Sequence, residues 1–322
     1  MQLWTSLDEV PADLPGTVVA LGNFDGVHRG HRQVLDSVVE RARAGGHAAV
    51  VVTFAPHPRA VHQPDVPHED IVSPRQRIDL LAQTGVDAVL QQHYTLEFAQ
   101  QTPEEFVRSM FVDGLHAVAV VVGHDVRFGR GNSGDFTTMV ELGRTHGFEV
   151  IAVDEFPAAL AGDPDRRCSS TWVREALTAG DVAEAAAVLG RNHVVSGEVV
   201  HGCARGRELG FPTANLAADS EGMIPADGVY AGRVRQGDGR VWPAAISIGT
   251  NPTFEGVRRV VEAHVIDRPD ERVEDFDLYG RRIDVEFVAR IRGMVAYEGV
   301  DKLVAQMHDD VEQVRAILAA SP

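Results

Sequence analysis

Apolar residues fall into two textures along this chain. In the first half, short unbroken runs of small and β-branched residues alternate with stretches whose apolar positions recur at helical spacing. Val18-Val19-Ala20-Leu21 is such a run, of the kind that forms a buried parallel strand; Val34, Leu35, Val38, Val39 and Ala42 follow at helical spacing, stopped by Gly45-Gly46. Ala48 to Phe54 reads as a second buried strand, ending in a loop where Pro56 and Pro58 flank His57 and hold it non-helical. Ser73-Pro74-Arg75-Gln76 combines an N-cap, a first-turn proline and a capping-box glutamine, and opens a helix that closes at Gly85. Thr102-Pro103-Glu104-Glu105 repeats the device ahead of Phe106, Val107 and Met110. Further strands are expected at 86–90, 117–122 and 148–153. Strands alternating with capped helices predict an α/β fold with a doubly wound parallel sheet.

The texture changes after a short helix from Asp181 to Leu189. Val194 to Val200 alternates, Gly228 to Arg235 pairs with Arg240 to Ile248 across Gly237-Asp238-Gly239, and strands are expected at 260–266 and 282–288. The pattern predicts an antiparallel β-barrel with a C-terminal helix burying Leu303, Met307, Val311, Val314 and Leu318. The boundary falls near residue 186, giving domains of 1–186 and 187–322.

Composition fits this division. With 322 residues, each half has enough chain for its own core, and 44% apolar with 24% charged residues is the balance of a soluble globular protein. No basic start followed by an apolar core opens the chain, and no apolar run approaches the ~20 residues of a membrane helix, so a cytoplasmic location is expected. A formal charge of −17 disfavours nucleic-acid and anionic-membrane partners and leaves small molecules as the expected ligands. Cys168 and Cys203 supply no disulfide framework. Of the 30 basic residues only Lys302 is a lysine, so a Walker A loop and a Schiff-base enzyme both lack their essential residue. Phosphate chemistry here has to rest on arginine, histidine, backbone amides and metal.

Between the first strand and helix stands Gly22-Asn23-Phe24-Asp25-Gly26-Val27-His28-Arg29-Gly30-His31. Helix-start amides, the positive end of the helix and the imidazoles of His28 and His31 all offer donors there, which makes a phosphate site. The loops carrying His57 and Asp125 should reach the same carboxyl edge of the sheet. The latter, Val122 to Gly134, is glycine-rich; Arg127 and Arg130 can meet phosphates and Phe128 can stack on a ring. Cys168-Ser169-Ser170-Thr171-Trp172-Val173-Arg174 then opens a helix ending near Gly180. Together these segments resemble the adenylyl-transfer signatures of the nucleotidyltransferase superfamily, most closely those of the bacterial bifunctional riboflavin kinase/FAD synthetases. The resemblance implies that Gly22, Asn23, Phe24, Asp25, Ser169, Ser170 and Thr171 bind ATP, that His28, His31 and Arg174 act in adenylyl transfer, and that Asp125 and Phe128 meet the flavin. Val126, Cys168 and Trp172 depart from the usual residues of that pattern.

The second half carries Gly202-Cys203-Ala204-Arg205-Gly206-Arg207-Glu208-Leu209-Gly210-Phe211-Pro212-Thr213-Ala214-Asn215-Leu216. Its glycines and arginines suit a loop over nucleotide phosphates, and Thr213 and Asn215, two apart on an extended segment, can aim two neutral oxygens at one hard cation such as Mg²⁺. This stretch is similar to the riboflavin kinase fingerprint. Gly249 to Phe254, Val261 to Asp267, Asp277 to Gly280, Arg290, Leu303, Gln306 and Asp310 continue the likeness. By resemblance, Glu262 is the general base toward the riboflavin 5′-hydroxyl, Arg205, Arg207 and Gly210 serve ATP, and Arg290 serves the flavin. The implied activity is bifunctional: riboflavin to FMN in the barrel, then FMN to FAD in the sheet domain, with ATP in both steps. An adenylyltransferase for another small phosphate substrate, or a non-catalytic flavin-binding regulator, are the alternatives.

Overall fold

The computed structural model describes residues 1–153, 166–202, 209–253, 256–267, 278–295 and 299–321, with main chain only at 251–253 and 256–258. By packing, the chain divides into two units, Met1–Ser169 and Ser170–Pro322.

The first unit is built from β1 (Gln2–Trp4), β2 (Thr17–Leu21), α1 (Arg29–Gly45), β3 (Ala48–Ala55), α2 (Pro58–His62), α3 (Pro74–Ala82), β4 (Ala88–His93), α4 (Pro103–Val107), β5 (Ala117–Gly123), α5 (Phe136–His146) and β6 (Glu149–Val153). Its six strands lie in the order β1-β4-β3-β2-β5-β6, and every pairing is parallel. Alternation along β2 divides the core. Val18 and Ala20 pack on Leu35, Val38 and Ala42 of α1, whereas Val19 faces a second cluster with Val50, Met110, Phe111 and Met139. The capping boxes expected at Ser73/Gln76 and Thr102/Glu105 are both formed. Gly46, at φ 67, closes α1 as a left-handed C-cap.

Strand order fixes where a ligand crevice lies. From β2 the chain winds outward through β3 and β4, then returns to build β5 and β6 on the other side of β2. Loops leaving β2 and β5 therefore diverge at a topological switch point, the usual ligand crevice of an open α/β sheet.

The second unit holds α6 (Ser170–Ala179), α7 (Val182–Leu189), β7 (His193–Val200), β8 (Ala214–Leu216), β9 (Gly228–Gln236), β10 (Val241–Thr253), β11 (Gly256–Val265), β12 (Arg282–Arg292) and α8 (Val300–Ala320). Its strands close into a barrel in the order β10-β11-β8-β7-β12-β9. α8 covers one flank, with Val311 and Val314 packed with Phe211, Ala231 and Ile266. Met307 and Leu318, expected in that seam, pack against it half-buried, and Leu303 is half-buried too.

Three details differ from the sequence expectation. The short helix α2 is not expected: His57 keeps the non-helical, extended backbone and serves as its N-cap, with Pro58 at a first helical position. β1 is only three residues long and shows no periodicity. The expected boundary at residue 186 falls within α7, whereas packing divides the chain before α6: Trp172 of α6 donates from Nε1 to Glu184 Oε1 of α7 at 2.9 Å, and α7 lies against β7 and β12.

Candidate active sites

The chain leaves β2 through a tight turn in which Phe24, Gly26 and Val27 all have positive φ, at 49°, 83° and 41°. Two non-glycine residues in that region cost conformational energy, and burial of Phe24 (2% exposed) and Val27 (0%) holds them there. His28 follows as the N-cap of α1: its Nδ1 accepts the His31 amide at 3.3 Å, and the two imidazoles stack with centroids 3.6 Å apart. With Nδ1 accepting, neutral His28 carries its proton on Nε2. Cys168 joins this helix start; burial raises its thiol pKa, while the Arg29 charge and the Gly30 amide act the other way. The first residues of the Cys168–Arg174 signature thus reach the N-terminus of α1. The rest of that signature, Ser170 to Arg174, forms the first turns of α6 in the other unit.

Some residues expected at ligands are occupied otherwise. The Phe24 side chain is part of the core, its ring edge-on to His31 with centroids 5.1 Å apart. The buried Asp25 carboxylate accepts the amides of Ile71 at 3.1 Å and Val72 at 3.3 Å, so it fixes the segment before α3. Asn23 contributes its carbonyl, which accepts Thr53 Oγ1 and Arg77 Nη1, each at 3.0 Å. In the loop after β5, Asp125 is exposed, but Phe128 is buried beside Phe106, 5.8 Å between centroids. Its ring is unavailable for stacking on a flavin because the loop folds back: the Phe128 and Gly134 main chains exchange two hydrogen bonds, and a Cβ on Gly134 would lie 2.8 Å from the Phe128 ring.

One set of metal-ligand side chains stands near this crevice. His57, His68 and Asp70 bring ligand atoms within 4.8 Å of one another. His68 Nε2 lies 3.0 Å from Asp70 Oδ1, while His57 Nδ1 already accepts the Arg59 amide at 3.1 Å. That bond puts the proton of neutral His57 on Nε2, which makes that nitrogen a donor, and the His57 ring lies against His68 with centroids 4.2 Å apart.

In the barrel, β8 and β11 pair with Asn215 directly opposite Glu262. Asn215 Nδ2 donates to Thr213 Oγ1 at 3.2 Å, and the Thr213 hydroxyl in turn bonds the Glu262 carboxylate. Burial pushes the Glu262 pKa up, and the Thr213 hydrogen bond draws it partly back. Because Nδ2 of Asn215 faces Thr213, Oδ1 is left as its ligand atom, beside the second lone pair of the Thr213 hydroxyl. These neutral oxygens next to a carboxylate suit a hard divalent cation. Gly202 must be a glycine: a Cβ there would lie 2.6 Å from the Asn215 amide. The Phe211-Pro212-Thr213 strap is held by His264, whose Nδ1 lies 2.8 Å from Pro212 O, and by the Phe211 ring between His264 and His308.

Gly210 has the left-handed backbone of a turn, at φ 85. Arg205 and Arg207 lie outside the described residues. Arg290, expected at the flavin, instead donates to Ala179 O at 3.0 Å and Asp227 O at 2.7 Å, which ties the end of α6 to the barrel. Sequence reasoning missed Arg77 and His264. Both sit in amphipathic contexts where a polar residue reads as solvated, and only their distant carbonyl partners reveal them.

A crevice at the switch point of a doubly wound domain, followed by a barrel with a half-buried Thr213-Asn215-Glu262 set, is the arrangement of a two-domain enzyme of phosphate chemistry. The family models agree: FAD synthetase matches residues 10–171 and riboflavin kinase residues 189–318. The chain is 35% identical over 305 residues to the bifunctional riboflavin kinase/FMN adenylyltransferase of Escherichia coli K12, covering 95% of this chain and 93% of that one. It is 35% identical over 322 residues to that of Pseudomonas fluorescens, covering 100% and 99%. A crystal structure from Streptococcus pneumoniae, described as a macrolide-efflux protein, superposes with a TM-score of 0.84 at 31% identity, covering 97% of this chain and 98% of that one. The chain belongs to the bifunctional riboflavin kinase/FMN adenylyltransferase family. Among the described residues no helix is long and apolar enough to cross a membrane.

Proposed function

We propose that this chain converts riboflavin to FMN in its barrel and FMN to FAD in its sheet domain, using one ATP in each step. The observation that carries the reading is the hydrogen-bonded set of Asn215, Thr213 and Glu262, which puts a half-buried carboxylate of raised pKa beside oxygens that suit a cation.

In the kinase step, Glu262 takes the proton of the riboflavin 5′-hydroxyl as that oxygen bonds the γ-phosphorus of ATP and the bond to the ADP oxygen breaks. Thr213 and Asn215 hold Mg²⁺, which when bound neutralises charge on the phosphates. Thr213 also orients the Glu262 carboxylate. In the second step the FMN phosphate oxygen bonds the α-phosphorus of ATP and pyrophosphate leaves. The attacking phosphate is already ionised, so no strong base is required. His28, His31 and the amides at the start of α1 stabilise charge on the transferring group, with Ser169, Ser170, Thr171 and Arg174 assigned to the ATP phosphates and Gly22 to close approach of the nucleotide. Arg205, Arg207 and Gly210 are assigned to the ATP of the kinase, and Asp125 to the flavin of the adenylyltransferase. We take adenylyl transfer to reside in the sheet domain and kinase activity in the barrel, in the cytoplasm, with small molecules as the ligands and no nucleic-acid or membrane partner.

Purified protein incubated with riboflavin, ATP and Mg²⁺, with flavins separated by chromatography over time, tests this. FMN should appear first and FAD after it. Unchanged riboflavin together with unchanged FMN, when FMN is supplied, would refute the reading.

A further inference from the structure

Arg77 is a charged residue on α3 that is 1% exposed, and neither reaction described above uses it. A buried guanidinium is costly unless its donors are satisfied. Here Nη1 donates to Asn23 O at 3.0 Å and Nη2 to Phe54 O at 2.7 Å, while the buried Nε has no partner. The first carbonyl belongs to the turn after β2 and the second to the end of β3, so one rigid fork ties the strand end that borders the crevice to its neighbour β3. The clamp is reciprocal. From the β2 turn, the buried Asp25 carboxylate reaches back to the amides of Ile71 and Val72, just ahead of the Ser73 N-cap of α3. Thr53 Oγ1 adds a second donor to the same Asn23 carbonyl at 3.0 Å.

We propose that Arg77 is a positioning residue for adenylyl transfer, acting through the main chain of the Gly22–His28 turn. The peptide between Asn23 and Phe24 is planar and trans, so a carbonyl pinned toward Arg77 turns the Phe24 N–H to the opposite side. Phe24 also sits in the costly positive-φ region, which the turn keeps only while its surroundings over-determine it. Arg77 is thereby part of what fixes the turn that sets His28 at the N-cap of α1. The fork makes two directed bonds, which a single ammonium at the same place cannot reproduce.

This inference rests on the adenylyltransferase reading of the sheet domain, and its test keeps the two apart. The full chain carrying Arg77→Met or Arg77→Lys is assayed for FMN-to-FAD conversion across ATP concentrations, with riboflavin phosphorylation and the melting temperature measured on the same samples. Arg77→Met should lower kcat/KM for ATP in FAD formation by about 10- to 100-fold, the scale of a small misplacement of catalytic groups. Riboflavin phosphorylation should stay at the wild-type rate. Arg77→Lys should recover part of the loss. Thr53→Val, which removes the other donor to the Asn23 carbonyl, should shift the ATP dependence in the same direction by less, and it serves if Arg77→Met does not fold. A lower melting temperature with unchanged ATP kinetics in Arg77→Met, or in Arg77→Lys and Thr53→Val together, would overturn the proposal. Wild-type protein that makes no FAD from FMN would contradict the underlying reading, and this inference with it.

Discussion

Glu262 and Asn215 face one another across the ladder between β11 and β8, and the Thr213 hydroxyl is hydrogen-bonded to both side chains. Two sequence-distant segments thus form one chemical unit, in which Thr213 and Asn215 present oxygens and Glu262 accepts a proton. The raised pKa of Glu262 has a kinetic consequence. A general base works only when ionised, so riboflavin phosphorylation should fall on acidification at a pH above the ordinary carboxylate value of 4.5. FMN formation at limiting substrates from pH 4 to 8, where the rate reports the free enzyme, checks this; an acid limb at or below that value would contradict it.

Gly202 tests the packing around the same unit. Its missing side chain leaves room for the Asn215 amide, and a Cβ would come within 2.6 Å of it. Gly202→Ala should therefore displace Asn215 and raise the Mg²⁺ concentration needed for half-maximal kinase rate by about tenfold, the size of a second-shell loss at a metal site. FAD formation from supplied FMN should be unaffected. A magnesium titration of both rates distinguishes the two.

Phe128 separates a core role from a ligand role. As a buried ring beside Phe106, it should cost about 3–5 kcal/mol of stability when replaced by alanine. Denaturant unfolding of Phe128→Ala measures this. A flavin platform would instead show a raised KM for FMN with stability unchanged.

His193 gives the barrel an acid-sensitive core. It is 1% exposed, its Nε2 lies 2.6 Å from Met223 O, and burial depresses its pKa from 6.5 to about 4. The unfolded chain therefore binds a proton below pH 6.5 that the folded chain refuses until about pH 4, so this residue makes stability rise with pH across that window. The full effect is about 3 kcal/mol. His193→Gln keeps a donor for the Met223 carbonyl without titrating, and should flatten the dependence of unfolding free energy on pH between 4 and 6.5.

Most of what positions these sites was legible in sequence because it is local. The β2 run, the His28 N-cap, the proline-started helices and the Gly46 stop each depend on neighbours within a few residues. What was missed depends on partners far along the chain. Arg77 follows Gln76 on a capped helix and reads as a solvated charge, yet it binds the carbonyls of Asn23 and Phe54. Phe128 stands in a glycine-rich stretch that resembles an open loop, and it is the main-chain exchange with Gly134 that turns its ring inward. Arg290 carried the right chemistry for a ligand, but the end of α6 takes its donors. Asp25 sits inside a phosphate-binding motif, where a carboxylate has no favourable role beside an anion; its work is done on the amides of Ile71 and Val72.

The central claim is that two chemically separate sites share this chain. The most direct measurement supplies the full-length Glu262→Gln variant with ATP and Mg²⁺ and with riboflavin or FMN in turn, and follows flavin products by chromatography. The account predicts no FMN from riboflavin and FAD from FMN at the wild-type rate. Undiminished FMN formation, or loss of both activities in a folded protein, would contradict it.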